Sequence, residues 1–173
     1  MFSSKTQKQF KDGKKLVSQK KWNEALALFQ ALQDAKDIDQ VELLSLINQA
    51  KDGLLNQKIE IAQEAIRRQN YMDALKLLQS LQKENPEHTQ IAGLMTQTKE
   101  GIFNRQMSIA QDAIHKKEYH QATTIAQSLR QEYPDHPEIE RLFSQIQDSS
   151  YQDQQKAEAR KKLRNKVILI GGV

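Results

Sequence analysis

Trp22-Asn23-Glu24-Ala25, Tyr71-Met72-Asp73-Ala74 and Tyr119-His120-Gln121-Ala122 head three segments that can be laid over one another, and Gly53-Leu54-Leu55-Asn56 returns as Gly101-Ile102-Phe103-Asn104. The period is 48 residues, with one extra residue in the first copy. A fixed period of this size marks helical units that stack, because one unit alone is too small to bury its apolar face. The chain is therefore expected to be an elongated binding scaffold whose copies pool their cores.

Within the second copy a small residue at Ala62 is followed by Tyr71, Ala74, Leu78, Leu81 and Pro86. The third copy has Ala110, Tyr119, Ala122, Ala126, Leu129 and Pro134 at the same spacing, and the first has Gly13, Trp22, Ala25, Phe29, Leu32 and Asp37. This pattern, over residues 7 to 134, resembles the tetratricopeptide repeat. The resemblance implies an all-α, right-handed stack of antiparallel helical hairpins, with small residues where the helices meet and an aromatic at the turn. The usual unit has about 34 residues. Here about fourteen more lie between each proline and the next aromatic, close to four helical turns, so the insertion keeps the same face inward and reads as helix.

Apolar spacing supports long first helices. Leu43, Ile47, Ala50 and Leu54 form one stripe, and Leu55, Ile59, Ala62 and Ile66 a second. Ile91, Met95, Thr98 and Ile102, then Phe103, Met107, Ala110 and Ile114, repeat the arrangement. The two stripes are offset by one residue, about 100° around a helix. One helix can thus pack its first half on the pair behind and its second half on the pair ahead. Gly53 and Gly101 stand at the handover, where a bend or a full break is expected because interior glycine costs about 1 kcal/mol relative to alanine. The shorter second helix is predicted over Tyr71 to Lys83. Pro86 and Pro134 end such helices, and the next begin near Glu87-His88-Thr89 and Asp135-His136-Pro137-Glu138. The expected divisions are repeats at about 7–54, 55–102 and 103–151, a basic helical stalk at 152–166 and an apolar tail at 167–173.

Charge is concentrated at the two ends. Seven lysines oppose one acid, Asp12, between Met1 and Lys21, and six Lys/Arg oppose Asp153 and Glu158 after Tyr151. Basic residues Arg160, Lys161, Lys162, Arg164 and Lys166 run directly into Val167-Ile168-Leu169-Ile170, the order in which a transmembrane helix begins at its cytoplasmic side. The seven residues from Val167 to Val173 do not span a core that needs about 20. The expectation is a membrane helix continuing past Val173, with docking of the tail on the last repeat as the alternative. No apolar signal-peptide region follows Met1. The expected location is cytoplasmic, held at the cytoplasmic face of a membrane.

With no cysteine in the chain, thiolate sites and disulfides are excluded. No phosphate loop, nucleophile elbow or metal spacing is visible; His88, His115, His120 and His136 read as surface residues. No catalytic residue, metal or cofactor is expected, nor a small-molecule substrate, and the body lacks the basic stripe with interleaved aromatics of a nucleic-acid binder. The tetratricopeptide resemblance implies a groove lined by the first helices, at Asn56, Gln63 and Arg67 in the second copy and Asn104, Gln111 and His115 in the third. Amides there can hold a peptide backbone by donating and accepting together. The reading is a protein or peptide scaffold at a membrane. Alternatives are a soluble adaptor or assembly chaperone, a charge-driven binder of anionic lipid or nucleic acid through the basic ends, and self-association through the long-helix seams.

Overall fold

The computed structural model describes residues 5–170, with side chains described through residue 165. They form helices α1 (Lys5–Ser18), α2 (Trp22–Gln30), α3 (Gln40–Arg67), α4 (Tyr71–Glu84), α5 (Thr89–His115), α6 (Tyr119–Glu132) and α7 (Pro137–Ile170). No strand occurs among the described residues. The chain divides into two compact units, one up to Lys99 and one from Glu100 onward, so the division falls within α5.

In the first unit α3 is buried on two sides in succession. Its first half sends Leu43, Ile47 and Ala50 into a cluster with Val17, Ala25, Phe29, Leu32 and Ile38. Its second half sends Ile59, Ala62 and Ile66 into another with Ala74, Leu78, Leu81 and Ile91. This is the handover that the offset stripes predict, and each Leu or Ile buried contributes about 1.5–3 kcal/mol. Ala25, Ala50, Ala62 and Ala74 are fully buried, so the helices meet where side chains are shortest. Asp39 caps α3 by accepting from the amides of Val41 at 2.9 Å and Glu42 at 3.2 Å.

Among the described residues the second unit has one cluster, again built from alanines between larger apolar side chains. Phe103, Met107, Ala110 and Ile114 of α5 join Ala122, Ala126 and Leu129 of α6 and Ile139, Leu142 and Ile146 of α7. Arg130 binds it at the edge, its guanidinium 4.1 Å from the Phe143 ring centroid and 2.5 Å from Glu140.

Each short helix follows the same turn. Lys20, Gln69 and Lys117 have φ of 57°, 59° and 65°, in the left-handed region. The amide of the following residue reaches back five positions, Lys21 to Leu16, Asn70 to Ala65 and Glu118 to Ala113, which is the Schellman closure of a helix C-terminus. The chain reverses there without glycine. Trp22, Tyr71 and Tyr119 then open α2, α4 and α6, half-buried against the three clusters. At the other end Asn85 and Tyr133, each before a proline, leave the helix at φ −137° and −132°, outside the α region that proline forbids to its predecessor.

Of the bend or full break expected at Gly53 and Gly101, the full break is absent: α3 is helical through Gly53, as α5 is through Gly101. Gly53 is instead a contact point, since a Cβ there would lie 2.5 Å from atoms of the Trp22 indole. Its counterpart two periods on, Ser149, has its carbonyl oxygen 3.2 Å from the Tyr119 hydroxyl, as the weaker of two acceptors sharing that one hydrogen. Trp22 in the first unit and Tyr119 in the second thus each reach the equivalent position of the long helix that follows, the one with its ring and the other with its hydroxyl. Gly93, by contrast, has open space where a Cβ would go. One substitution should therefore have opposite signs at two helical glycines. Gly93→Ala is expected to stabilise by about 1 kcal/mol through helix propensity, and Gly53→Ala to destabilise by about 1–3 kcal/mol through overpacking, as read by urea unfolding.

Candidate polar faces and basic ends

Asn56, Gln63 and Arg67 lie on one face of α3, seven and four residues apart, beside the buried Ile59, Ala62 and Ile66. Asn56 and Arg67 are exposed, but Gln63 is half-buried. Arg67 is also committed to a neighbour: its guanidinium stands 2.8 Å from Glu64, whose other oxygen accepts from Arg68 Nε at 2.7 Å. The hydrogen bond from Arg68, with the charge of Arg67, holds the Glu64 carboxyl below the usual carboxylate range. Asn104, Gln111 and His115 repeat the spacing in the second unit, all exposed. Each trio is brought together along its own helix. Ile61 and Ile109, one period apart, are exposed apolar residues on these same helices that the helical pattern did not single out.

On α7, residues 154–165 are exposed throughout, including Arg160, Lys161, Lys162 and Arg164. The side chain of Lys166 and those of the apolar tail lie outside the described residues. Among the described residues no helix is long and apolar enough to cross a membrane. The stalk is anchored at its base by a cluster that sequence reading missed. Asp153 accepts from the Tyr119 hydroxyl at 2.8 Å and pairs with Lys117 Nζ at 2.8 Å. Lys117 is the left-handed turn residue and Tyr119 opens α6, so one carboxylate ties that turn to α7. In the sequence Asp153 is merely one acid in a basic stretch, and only folding shows its partners.

The N-terminal lysines divide. Lys14 pairs with Glu42 and lies over the Phe10 ring, and Lys21 is near Glu24. Lys5, Lys8, Lys11 and Lys15 are exposed on the outer side of α1, opposite the buried Gly13 and Val17.

Two of the four histidines are not simple surface residues. His136 lies with its ring centroid 4.1 Å from that of Phe103 and accepts at Nδ1 from the Glu138 amide at 3.4 Å. His88 is half-buried, with Nδ1 shielded from solvent. Both sit two residues after a proline at the entry to a long helix, and the His136 ring covers Phe103 there. His115 and His120 are exposed. Among the described residues no group of three His, Asp or Glu could hold a metal.

Neither family models nor curated proteins nor solved structures contain a match to this chain.

The Asp153 cluster has a defined pH dependence. Hydrogen bonds from Lys117 and Tyr119 hold the Asp153 carboxyl below its ordinary value of 3.8. A carboxyl depressed in the folded state contributes fully above its unfolded value and loses that contribution as pH falls through the folded one. Amide exchange around Ser149 to Asp153 should accelerate below about pH 3.8 relative to the rest of α7, and Asp153→Asn should show the faster exchange already at neutral pH.

Proposed function

We propose that this protein is a protein-interaction scaffold of tetratricopeptide-like type, its helix pairs forming a right-handed stack, held at the cytoplasmic face of a membrane through the basic end of α7. The observation that carries the scaffold reading is the recurrence of an exposed polar face on successive long helices. Asn56 recurs as Asn104, both exposed beside buried positions that also recur. An exposed asparagine offers a donor and an acceptor to an extended peptide backbone. Gln111 and His115 extend the face in the second unit. Gln63 and Arg67 contribute less, the one half-buried and the other held by Glu64. No catalytic or cofactor role is assigned to any residue.

The test is a peptide array probed with the full chain and with an Asn56→Ala, Asn104→Ala double variant. The variant should keep its helical circular dichroism and lose at least about tenfold in affinity, the equivalent of about 1.4 kcal/mol. Unchanged binding by the folded variant would place the peptide on another surface.

Support for the membrane half comes from the fully exposed run of Arg160, Lys161, Lys162 and Arg164. Each basic residue close to an anionic bilayer contributes about 1 kcal/mol, screened by salt. Changing all four to Gln should reduce flotation with phosphatidylserine vesicles at low salt, leaving a residue due to α1. Equal flotation of parent and variant would remove the tether and leave a soluble adaptor.

A further inference from the structure

The first unit contains a cleft whose equivalent within the second unit is filled by that unit's own side chains. Between α3 and α4 lies a space of about 370 Å³ lined by Leu54, Leu55 and Leu81, with Lys51, Asp52, Lys58, Glu84 and Asn85 at its rim. One period later, Phe103 stands in place of Leu55 and Tyr133 in place of Asn85. Those two rings pack edge to face with centroids 5.2 Å apart, and Phe103 is buried. Where the second unit puts a pair of aromatic rings between the long helix and the end of the short one, the first puts a leucine and a short amide. The Asn85 amide turns back to donate to the Leu81 carbonyl at 3.1 Å instead of reaching across.

The rim determines what suits the space. Lys58 stands 3.9 Å from Glu84, at the outer limit of an ion pair, and both are solvated. Lys51 is exposed, and no ion pair ties it down among the described residues. Asp52 and Glu84 share this rim, so its charges balance, but only an aromatic ring gains from the two ammonium groups through its negative face, an attraction an aliphatic side chain lacks. The chain already makes this pairing, with Lys14 Nζ 4.5 Å from the Phe10 centroid and Arg130 over Phe143.

We propose that the α3–α4 cleft is a side-chain subsite for a phenylalanine or tyrosine presented by a peptide segment of a protein partner, the ring lying on the partly exposed Leu54 and Leu55 with its face toward Lys51 and Lys58. It rests on the scaffold reading only for the source of the ring. The subsite is separate from the amide face: Asn56 and Lys58 point about 160° apart around α3.

The full chain, labelled with ¹⁵N, is titrated with N-acetyl-phenylalaninamide and separately with N-acetyl-leucinamide. The aromatic probe should shift the amides of Leu55, Lys58, Leu81 and Asn85 and bind at least about threefold more tightly than the leucine probe. Absence of shifts at these residues at tens of millimolar probe, or an equal response to both probes, overturns the proposal. A Leu55→Phe, Asn85→Tyr variant rebuilds the aromatic pair of the second unit in the first. It should melt at a higher temperature and give no probe shifts; binding retained in that variant also overturns the proposal. Should that variant misfold, Lys51→Gln with Lys58→Gln decides the matter, because the preference for the aromatic probe must then disappear. Asn56→Ala, Asn104→Ala must leave these shifts unchanged, so the peptide-backbone reading and this one fail separately.

Discussion

Helix axes approach closely only where side chains are short, and the clusters of this protein depend on that constraint. Ala25, Ala50, Ala62 and Ala74 in the first unit, with Ala110, Ala122 and Ala126 in the second, are fully buried at helix contacts. Around these points the larger residues, Phe29, Leu43, Leu78, Leu81 and Leu129, fill the space that the alanines leave. With so few aromatics the chain cannot rely on bulk. It relies on close approach, and the same economy explains Gly13 and Gly53, whose missing Cβ atoms admit the rings of Phe29 and Trp22.

Much of this was legible in the sequence because helical periodicity is local. The stripes through Leu43, Ile47 and Ala50 and through Ile59, Ala62 and Ile66 assign the two sides of α3 correctly, and the prolines at 86 and 134 fix where α4 and α6 end. What escaped reading depends on residues distant in the chain. Gly53 reads as a weakness when only its helix is considered; Trp22 makes it a contact. Asp153 acquires meaning only once Lys117 and Tyr119 face it. Among the candidate site residues, which the tetratricopeptide resemblance alone suggested, Asn56 and Asn104 are exposed, whereas the partial burial of Gln63 and the attachment of Arg67 to Glu64 follow from packing and side-chain geometry that a repeat pattern does not encode.

The two units use the same plan with different fillings. Phe103 and Tyr133 close the space between α5 and α6 with rings, while Leu55 and Asn85 leave the corresponding space between α3 and α4 open. Repetition thus supplies an internal standard: a departure from the pattern can be measured against a neighbour made of the same chain. The Asp153 cluster is another such departure, for its counterparts one and two periods earlier are Arg105 and Gln57, which cannot play the same acidic part.

The double burial of α3 also bears on how the first unit comes apart. Its helix is continuous through Gly53, with one cluster on each half. A repeat array built from self-contained pieces can lose a terminal piece while the rest endures. Here, disrupting either cluster strips half of a single rod and leaves its hydrogen-bond ladder exposed to solvent, so the energetic consequence passes along the backbone to the other half. The cooperative element of the first unit is then the span served by α3, larger than the 48-residue period written in the sequence.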